Sequence, residues 1–478
     1  MSEESKGPGL QKSLGLFTVI LVVISSIIGS GVFKKVAPMS LELGSPELVL
    51  ACWFLAGLVT LLGSLTNAEV AGLIAEPGGQ YVYFKHMYGK FFAYLYGWAS
   101  FAVIQCATTA AVSYVFSQSL DGLLFSQTGA HLPTLTGPIT EWSFWGMTPF
   151  ANFGVKLLTI GLITILTVVN YRGVKYGGFI TNLFASTVVI AIFGIIFLGL
   201  FLSQGSMANI TSSVASSSIA EKGLFAAMFA AMVSAFWAYE GWNNVGFLGG
   251  EVINPKRNIP LAFIIGVLLV ILLYLLVNLT YLFVLPIDQI ISNHLADDNS
   301  ITAVEVMRHI LGNTGAILIS ILILVATFNC VNSSILTAPR IYYAMAKDKL
   351  FFPAVAKVHP TFHTPHIALI VSGIWSSILV LSGSFDQLTD MLVFAAFIFY
   401  GAGAFGVFVL RRKMPDAERP YKVIGYPVVP ALFILFCITL VIMTLINDPG
   451  NAGKGLILIL IGVPFYFLWN NSNKPVKE

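Results

Sequence analysis

Apolar stretches long enough to cross a bilayer alternate with short polar ones along the whole chain. They run at about 14–37, 46–74, 89–119, 152–171, 176–202, 223–249, 258–286, 314–343, 365–382, 388–410, 424–446 and 454–469. A helix needs about 20 apolar residues to span hydrocarbon, whereas a barrel strand needs only about 10. The pattern therefore predicts an all-α membrane protein with twelve transmembrane helices. Two of the runs are broken from within. Gly29-Ser30-Gly31 interrupts the first, and Glu240-Gly241 with Asn243 and Asn244 interrupts the sixth. Glycine costs about 1 kcal/mol against alanine in a helix interior. In hydrocarbon, non-helical backbone is tolerated only against protein or a water-filled cavity. Each break is thus expected to line a binding site. Glu240 falls near the middle of its span, where a charge costs about 3 kcal/mol or more. The broken runs stand five spans apart, the offset an inverted five-helix repeat gives when broken helices meet at the midplane.

Composition narrows the class. Hydrophobic residues make up 57% and charged residues 10% of the 478, against about 25% charged in a soluble domain. That balance excludes a soluble enzyme, and no nucleic-acid partner is expected. Cys52, Cys106, Cys330 and Cys437 lie inside apolar runs without paired spacing, so they read as core residues rather than a disulfide or metal framework. The first run has no small-residue cleavage site and is expected to be a retained span. With the N-terminus cytoplasmic, 19 of the 25 Lys and Arg residues fall on the cytoplasmic side. The other side holds only Lys34, Lys35, Lys156, Lys222, Arg308 and Lys454, as the positive-inside rule asks. The expectation is a multi-pass protein of the plasma (inner) membrane with both termini cytoplasmic. There is no nucleotide-binding Gly-Lys motif and no surface cluster of nucleophile and base. Neither an ATP-driven pump nor an enzyme is expected, and no resident cofactor or metal.

Six motifs then carry a resemblance. They are IIGSGVF (Ile27–Phe33), Pro77-Gly78-Gly79-Gln80-Tyr81, AYEGWNN (Ala238–Asn244), GEVINPKRNIP (Gly250–Pro260), RIYYAMAKD (Arg340–Asp348) following Asn332-Ser333-Ser334, and LRRKMPDAERPYKVIGYPVVP (Leu410–Pro430). Together they resemble the amino acid–polyamine–organocation superfamily, most closely its L-type amino acid transporter branch. The resemblance implies a leucine-transporter-type fold: two inverted five-helix repeats plus two C-terminal helices, working by alternating access. Its parts would be a cytoplasmic N-terminal segment at 1–13, a first repeat at 14–202, a second at 223–410, two additional helices at 424–469 and a cytoplasmic tail at 470–478. It implies a secondary active transporter of amino acids, neutral L-amino acids first. Cationic amino acids or polyamines are the alternative, since Glu240 attracts a second positive charge.

The implied site holds both ends of an amino acid. Backbone N–H groups of Ser30 and Gly31 take the carboxylate, at a half-helix N-terminus that favours an anion. Carbonyls of Ile27, Trp237 and Glu240 suit the ammonium, and Trp237 is the aromatic lid. Gly29, Tyr239 and Gly241 complete the substrate-binding set. Glu69 reads as a structural hydrogen bonder, and Gln105, Thr108 and Thr109 as candidate pocket liners.

Three features depart from the family pattern. The fifth-span lysine of many members is absent, with Val188 in its place, while Ser333 and Ser334 stand where hydroxyls help bind sodium in sodium-coupled relatives. Glu240 replaces a glycine found in members handling bulky substrates. It narrows the pocket toward small neutral amino acids or titrates as a coupling proton site. Exchange and coupling to Na+ or H+ both stay open. Finally, Asp121–Asn152 lacks the cysteine through which some members join a single-span glycoprotein, so no disulfide-linked heavy-chain partner is expected.

Overall fold

In a computed structural model the described residues are 14–74, 78–133, 135, 140, 142–143, 148–172, 177–248, 252–297, 300–362 and 364–472. The segment 1–13, Pro77, Gly250, Glu251 and the tail from 473 lie outside them. The described chain is helical throughout, apart from one isolated parallel bridge between Leu14 and Val252. The first run yields α1 (Leu16–Ile27), α2 (Gly31–Lys34) and α3 (Val36–Leu43), followed by α4 (Pro46–Leu73). Ser45 caps α4, its Oγ accepting from Leu48 N at 3.4 Å, with Pro46 at the first helical position. Next come α5 (Gln80–Tyr88), α6 (Lys90–Ala99) and α7 (Gln105–Thr128), the last two joined by one π-helical turn. Then follow α8 (Phe153–Tyr171), α9 (Gly177–Phe197), the short α10 (Met207–Thr211) and α11 (Ser217–Lys222), α12 (Leu224–Tyr239) and α13 (Pro255–Val284). The remainder is α14 (Ile287–Ala296), α15 (Thr302–Thr337), α16 (Pro339–Lys347), α17 (His366–Ser382), α18 (Phe385–Lys413), α19 (Val428–Asn447) and α20 (Pro449–Ser472).

Among the described residues, nine helical stretches are long and apolar enough to cross a bilayer. Three more, Leu16–Ile27, Ser186–Leu202 and His366–Ser382, are apolar but shorter. Leucine, isoleucine and phenylalanine side chains stand exposed along α9, α13, α19 and α20, among them Phe193, Leu272, Ile438 and Leu460. So much exposed apolar surface marks a membrane face.

Two boundaries differ from the hydropathy pattern for visible reasons. α7 runs on to Thr128 because buried Asp121 finds local partners: its carboxylate accepts from Leu132 N at 2.6 Å, with His131 Nδ1 at 2.9 Å. α15 starts at Thr302, but Gly312 is non-helical (φ +63°), so the apolar run opens just after a kink.

Two of the motif stretches are held at helix ends by charged side chains. Asp348, closing the RIYYAMAKD stretch, accepts from Tyr81 Oη at 2.8 Å and Lys85 Nζ at 2.7 Å. Glu69 on α4 is gripped by Arg411 of α18 through Nε at 2.9 Å and Nη2 at 2.6 Å. It also accepts the Val423 N–H at 2.7 Å, with Arg419 Nε at 3.3 Å. Glu69 is therefore a fastening between α4, α18 and the segment that follows α18. At the N-terminal side, Ile253 N donates to Leu14 O at 2.9 Å, tying the start of α1 to the chain before α13.

Candidate functional site

Both interruptions are present, and they rest on each other. α1 ends at Ile27, Ile28 is extended (ψ 92°), and helix resumes only at Gly31. α12 ends at Tyr239, Glu240 is extended (ψ 148°), and Gly241 takes φ +100°. A Cβ on Gly31 would stand 2.6 Å from Ala238 Cα, and one on Gly241 would stand 2.3 Å from the Ser26 carbonyl oxygen. Each glycine lets one break lie directly on the backbone of the other.

Around this crossing lies a cavity of about 30 Å³. Ser26, Ile27, Gly29, Ser30 and Gly31 form one wall, and Trp237, Glu240, Gly241 and Asn244 form the opposite one. Gln105, Thr108 and Val112 of α7 and Cys330 and Ser334 of α15 close the sides. Such a volume takes a water or two, so a larger guest requires the walls to part.

The lining offers more hydrogen-bonding groups than the protein uses. Among the described residues, the N–H groups of Gly29, Ser30 and Gly31 make no backbone hydrogen bond. Ser30 Oγ, Trp237 Nε1 and Asn244 Oδ1 are buried without a partner. Each unpaired buried polar atom costs about 1–3 kcal/mol. Concentrated in one cavity, they describe a receptor for a small polar molecule. Among the described residues, Glu240 is the only acidic or basic side chain in the wall, and its Oε1 accepts from Tyr400 Oη of α18 at 2.6 Å.

The freed carbonyls are partly claimed. Tyr274 of α13 places its hydroxyl 3.0 Å from Ile27 O and 2.9 Å from Ala238 O, bridging both breaks. Trp237 O accepts the Glu240 N–H at 3.1 Å. A carbonyl has two lone pairs, so Ile27 and Trp237 each keep one for a guest. Nothing in the sequence reading pointed to Tyr274. A tyrosine hydroxyl amid the apolar residues of α13 was the available signal, because a buried phenol needs a partner.

Of the expected residues, the cavity gathers Ile27, Gly29, Ser30, Gly31, Trp237, Glu240 and Gly241, together with Gln105 and Thr108. Tyr239 is not in the wall. Its ring turns toward α4, with the hydroxyl 3.3 Å from Trp53 O, because it occupies the face of α12 that packs on that helix. Thr109 spends its hydroxyl on Gln105 O at 3.1 Å. Ser334 reaches the cavity while Ser333 does not. Val188 instead borders a separate space of about 10 Å³ with Ser25, Ile28, Ala326 and Asn329.

Trp237 lines the cavity and meets Phe385 edge-on, centroids 5.9 Å apart. Two buried lysines flank that ring, with Lys34 Nζ at 5.1 Å and Lys35 Nζ at 4.7 Å from its centroid. Lys34 donates to Gln118 of α7 at 3.2 Å. Lys35 bonds Asp386 at 2.5 Å and Thr389 at 2.8 Å on α18. Both lysines, assigned from sequence to the non-cytoplasmic side, are buried next to the Phe385 ring and fasten the first break to α7 and α18. Lys35→Met and Asp386→Asn are expected to be non-additive in thermal unfolding of the purified protein. The double variant loses less stability than the two single losses combined, with a coupling of about 1–3 kcal/mol. Additive losses would mean that the contact carries no energy.

Residues 14–466 match the amino acid permease family. The chain belongs to that family. The permease is similar to the serine/threonine exchanger SteT of Bacillus subtilis (strain 168), 33% identical over 462 residues covering 96% of this chain and 97% of the relative. It is 31% identical to the human b(0,+)-type amino acid transporter 1 over 474 residues, 98% of this chain and 90% of the relative. With the human cystine/glutamate transporter it shares 28% identity over 461 residues, 96% of this chain and 85% of the relative. The permease is accordingly a membrane transporter, not an enzyme.

Proposed function

We propose that the protein carries small neutral L-amino acids across the plasma (inner) membrane by alternating access, as an exchanger or as a symporter with Na+ or H+. The observation that carries this reading is the cavity between the two breaks. Unpaired N–H groups at Gly29–Gly31 suit a carboxylate, while the Glu240 carboxylate and the carbonyls of Ile27 and Trp237 suit an ammonium group. A neutral amino acid brings one of each. Glu240, standing in the wall, takes up space and favours a short side chain. Glu240 also motivates the second reading, cationic amino acids or polyamines, because no lysine or arginine among the described residues lines the cavity to balance it.

The three shorter apolar helices, added to the nine long ones, support twelve crossings with a five-plus-five inverted repeat at 14–202 and 223–410. Basic residues at the Arg411 end support cytoplasmic termini. The absence of cysteine in 121–152 supports function without a disulfide-linked heavy chain. Two coupling sites are open to Na+ or H+: the α15 hydroxyls of Ser333 and Ser334 for sodium, Glu240 for a proton.

Proteoliposomes given a panel of labelled amino acids test the function. Saturable uptake of alanine, serine or threonine is expected to exceed that of lysine or putrescine. Uptake that requires internal amino acid identifies exchange, and loss of uptake when choline replaces sodium identifies sodium symport. If a pH gradient drives uptake, Glu240→Gln is expected to remove that drive. Preference for lysine or putrescine moves the assignment to the second reading, and no uptake from the whole panel rejects both.

A further inference from the structure

Tyr400 stands at the middle of α18, buried, with its ring against Trp242 (centroids 5.3 Å apart) and Phe397 (5.6 Å). Its hydroxyl bonds Glu240 across the gap between α18 and the second break. α18 is fastened elsewhere by two charge pairs, Asp386–Lys35 toward one end and Arg411–Glu69 toward the other. Those anchors are 25 residues apart on the helix, about 37 Å at 1.5 Å per residue. Of the three ties, only the central one involves a residue of the cavity wall. A phenol bonded to a carboxylate is a charge-assisted hydrogen bond, about twice as strong as a neutral one. Its strength therefore depends on whether Glu240 is charged, protonated or engaged by a substrate ammonium.

We propose that Tyr400 is a positioning residue for transport: its hydroxyl fixes the Glu240 carboxylate in the cavity wall and makes the middle of α18 respond to the charge of that carboxylate. The proposal rests on the reading that Glu240 titrates during transport. The elements packed around Glu240 carry other ionisable groups, among them Cys52 and Glu69 on α4, Tyr96 on α6, Tyr239 on α12 itself, Tyr274 and Tyr281 on α13, Cys330 on α15 and Cys437 on α19. Toward the Lys35 end stand Lys34, Lys35, Glu42, Lys222, Asp386 and Asp390. The cations are held by other groups: Lys35 by Asp386, Arg411 by Glu69, Lys34 by Gln118, with Lys222 at 3.9 Å from Glu42. Among the described residues, Tyr400 is thus the one side chain that donates a hydrogen bond to the Glu240 carboxylate.

The test is the pH dependence of labelled L-alanine uptake in proteoliposomes, for wild type, Tyr400→Phe, Glu240→Gln and the double variant. Phenylalanine keeps the ring and its packing while removing the donor. A carboxylate that loses a donor favours its neutral form, so the midpoint of the Tyr400→Phe profile is expected about one pH unit above wild type. Glu240→Gln is expected to flatten the profile, and adding Tyr400→Phe to it should change the profile no further. A flat Glu240→Gln profile with an unshifted Tyr400→Phe midpoint overturns the positioning role alone. A Glu240→Gln profile that keeps the wild-type step, or a wild type with no step, overturns the titrating role of Glu240 and this proposal with it.

Discussion

Gly241→Ala is expected to abolish uptake while Gly29→Ala leaves most of it, although both glycines line the same cavity. At Gly241 two penalties coincide. The positive φ of +100° is a conformation that side chains other than glycine rarely adopt, at a cost of order 1–3 kcal/mol. The new methyl would also sit 2.3 Å from a backbone carbonyl oxygen, that of Ser26. Overpacking of that kind costs about 1–3 kcal/mol, and here the obstacle is main chain, which has no alternative rotamer. Relief requires the two breaks to separate, opening the crossing that shapes the site. At Gly29 an added Cβ meets nothing nearer than the Cys330 sulfur at 3.4 Å, ordinary van der Waals contact with a side chain. Initial uptake rates of the two purified variants at equal protein make the comparison. Equal uptake by Gly241→Ala and wild type would show that the crossing of the breaks is not the site.

Glu69→Ala is expected to be the most destabilising single change outside the cavity. The carboxylate is buried, with 3% of the side chain exposed, accepts from Arg411 and the Val423 N–H, and lies 3.3 Å from Arg419 Nε. Its removal leaves the Arg411 guanidinium and the Val423 amide without their acceptor and takes the nearby countercharge from Arg419. Breaking a buried pair from one side costs about 3–5 kcal/mol. A lower thermal unfolding midpoint in detergent checks this, and Glu69→Ala combined with Arg411→Met should recover part of the loss because the stranded charge is gone. An unchanged midpoint in Glu69→Ala would contradict the role of this cluster.

How much of this was legible depended on whether a signal was local. Gly29-Ser30-Gly31 and Glu240-Gly241 stood out because glycine and a carboxylate are costly inside a membrane helix wherever their partners lie. Tyr274, Tyr400 and the burial of Lys34 and Lys35 were not legible. Each is defined by a partner on a helix far along the chain, and hydrophobic periodicity does not say which helices cross. Ser333 and Ser334 show the finer limit: neighbours on a helix point about 100° apart, so one faces the cavity and the other does not. The same rotation takes Tyr239 to α4 while Trp237 lines the cavity. The boundary differences at Thr128 and Thr302 have local causes, a buried aspartate and a kinked glycine.

The most direct test of the central claim, that one cavity between two broken helices holds both ends of an amino acid, is competition against labelled L-alanine uptake in proteoliposomes. Unlabelled L-alanine, L-alaninamide and N-acetyl-L-alanine would be compared at equal concentration. L-alanine is expected to compete fully, while the amide, lacking the carboxylate, and the acetyl derivative, lacking the ammonium, compete weakly. Equal competition by either derivative would contradict the account, because the group it lacks would then have no binding partner between the breaks.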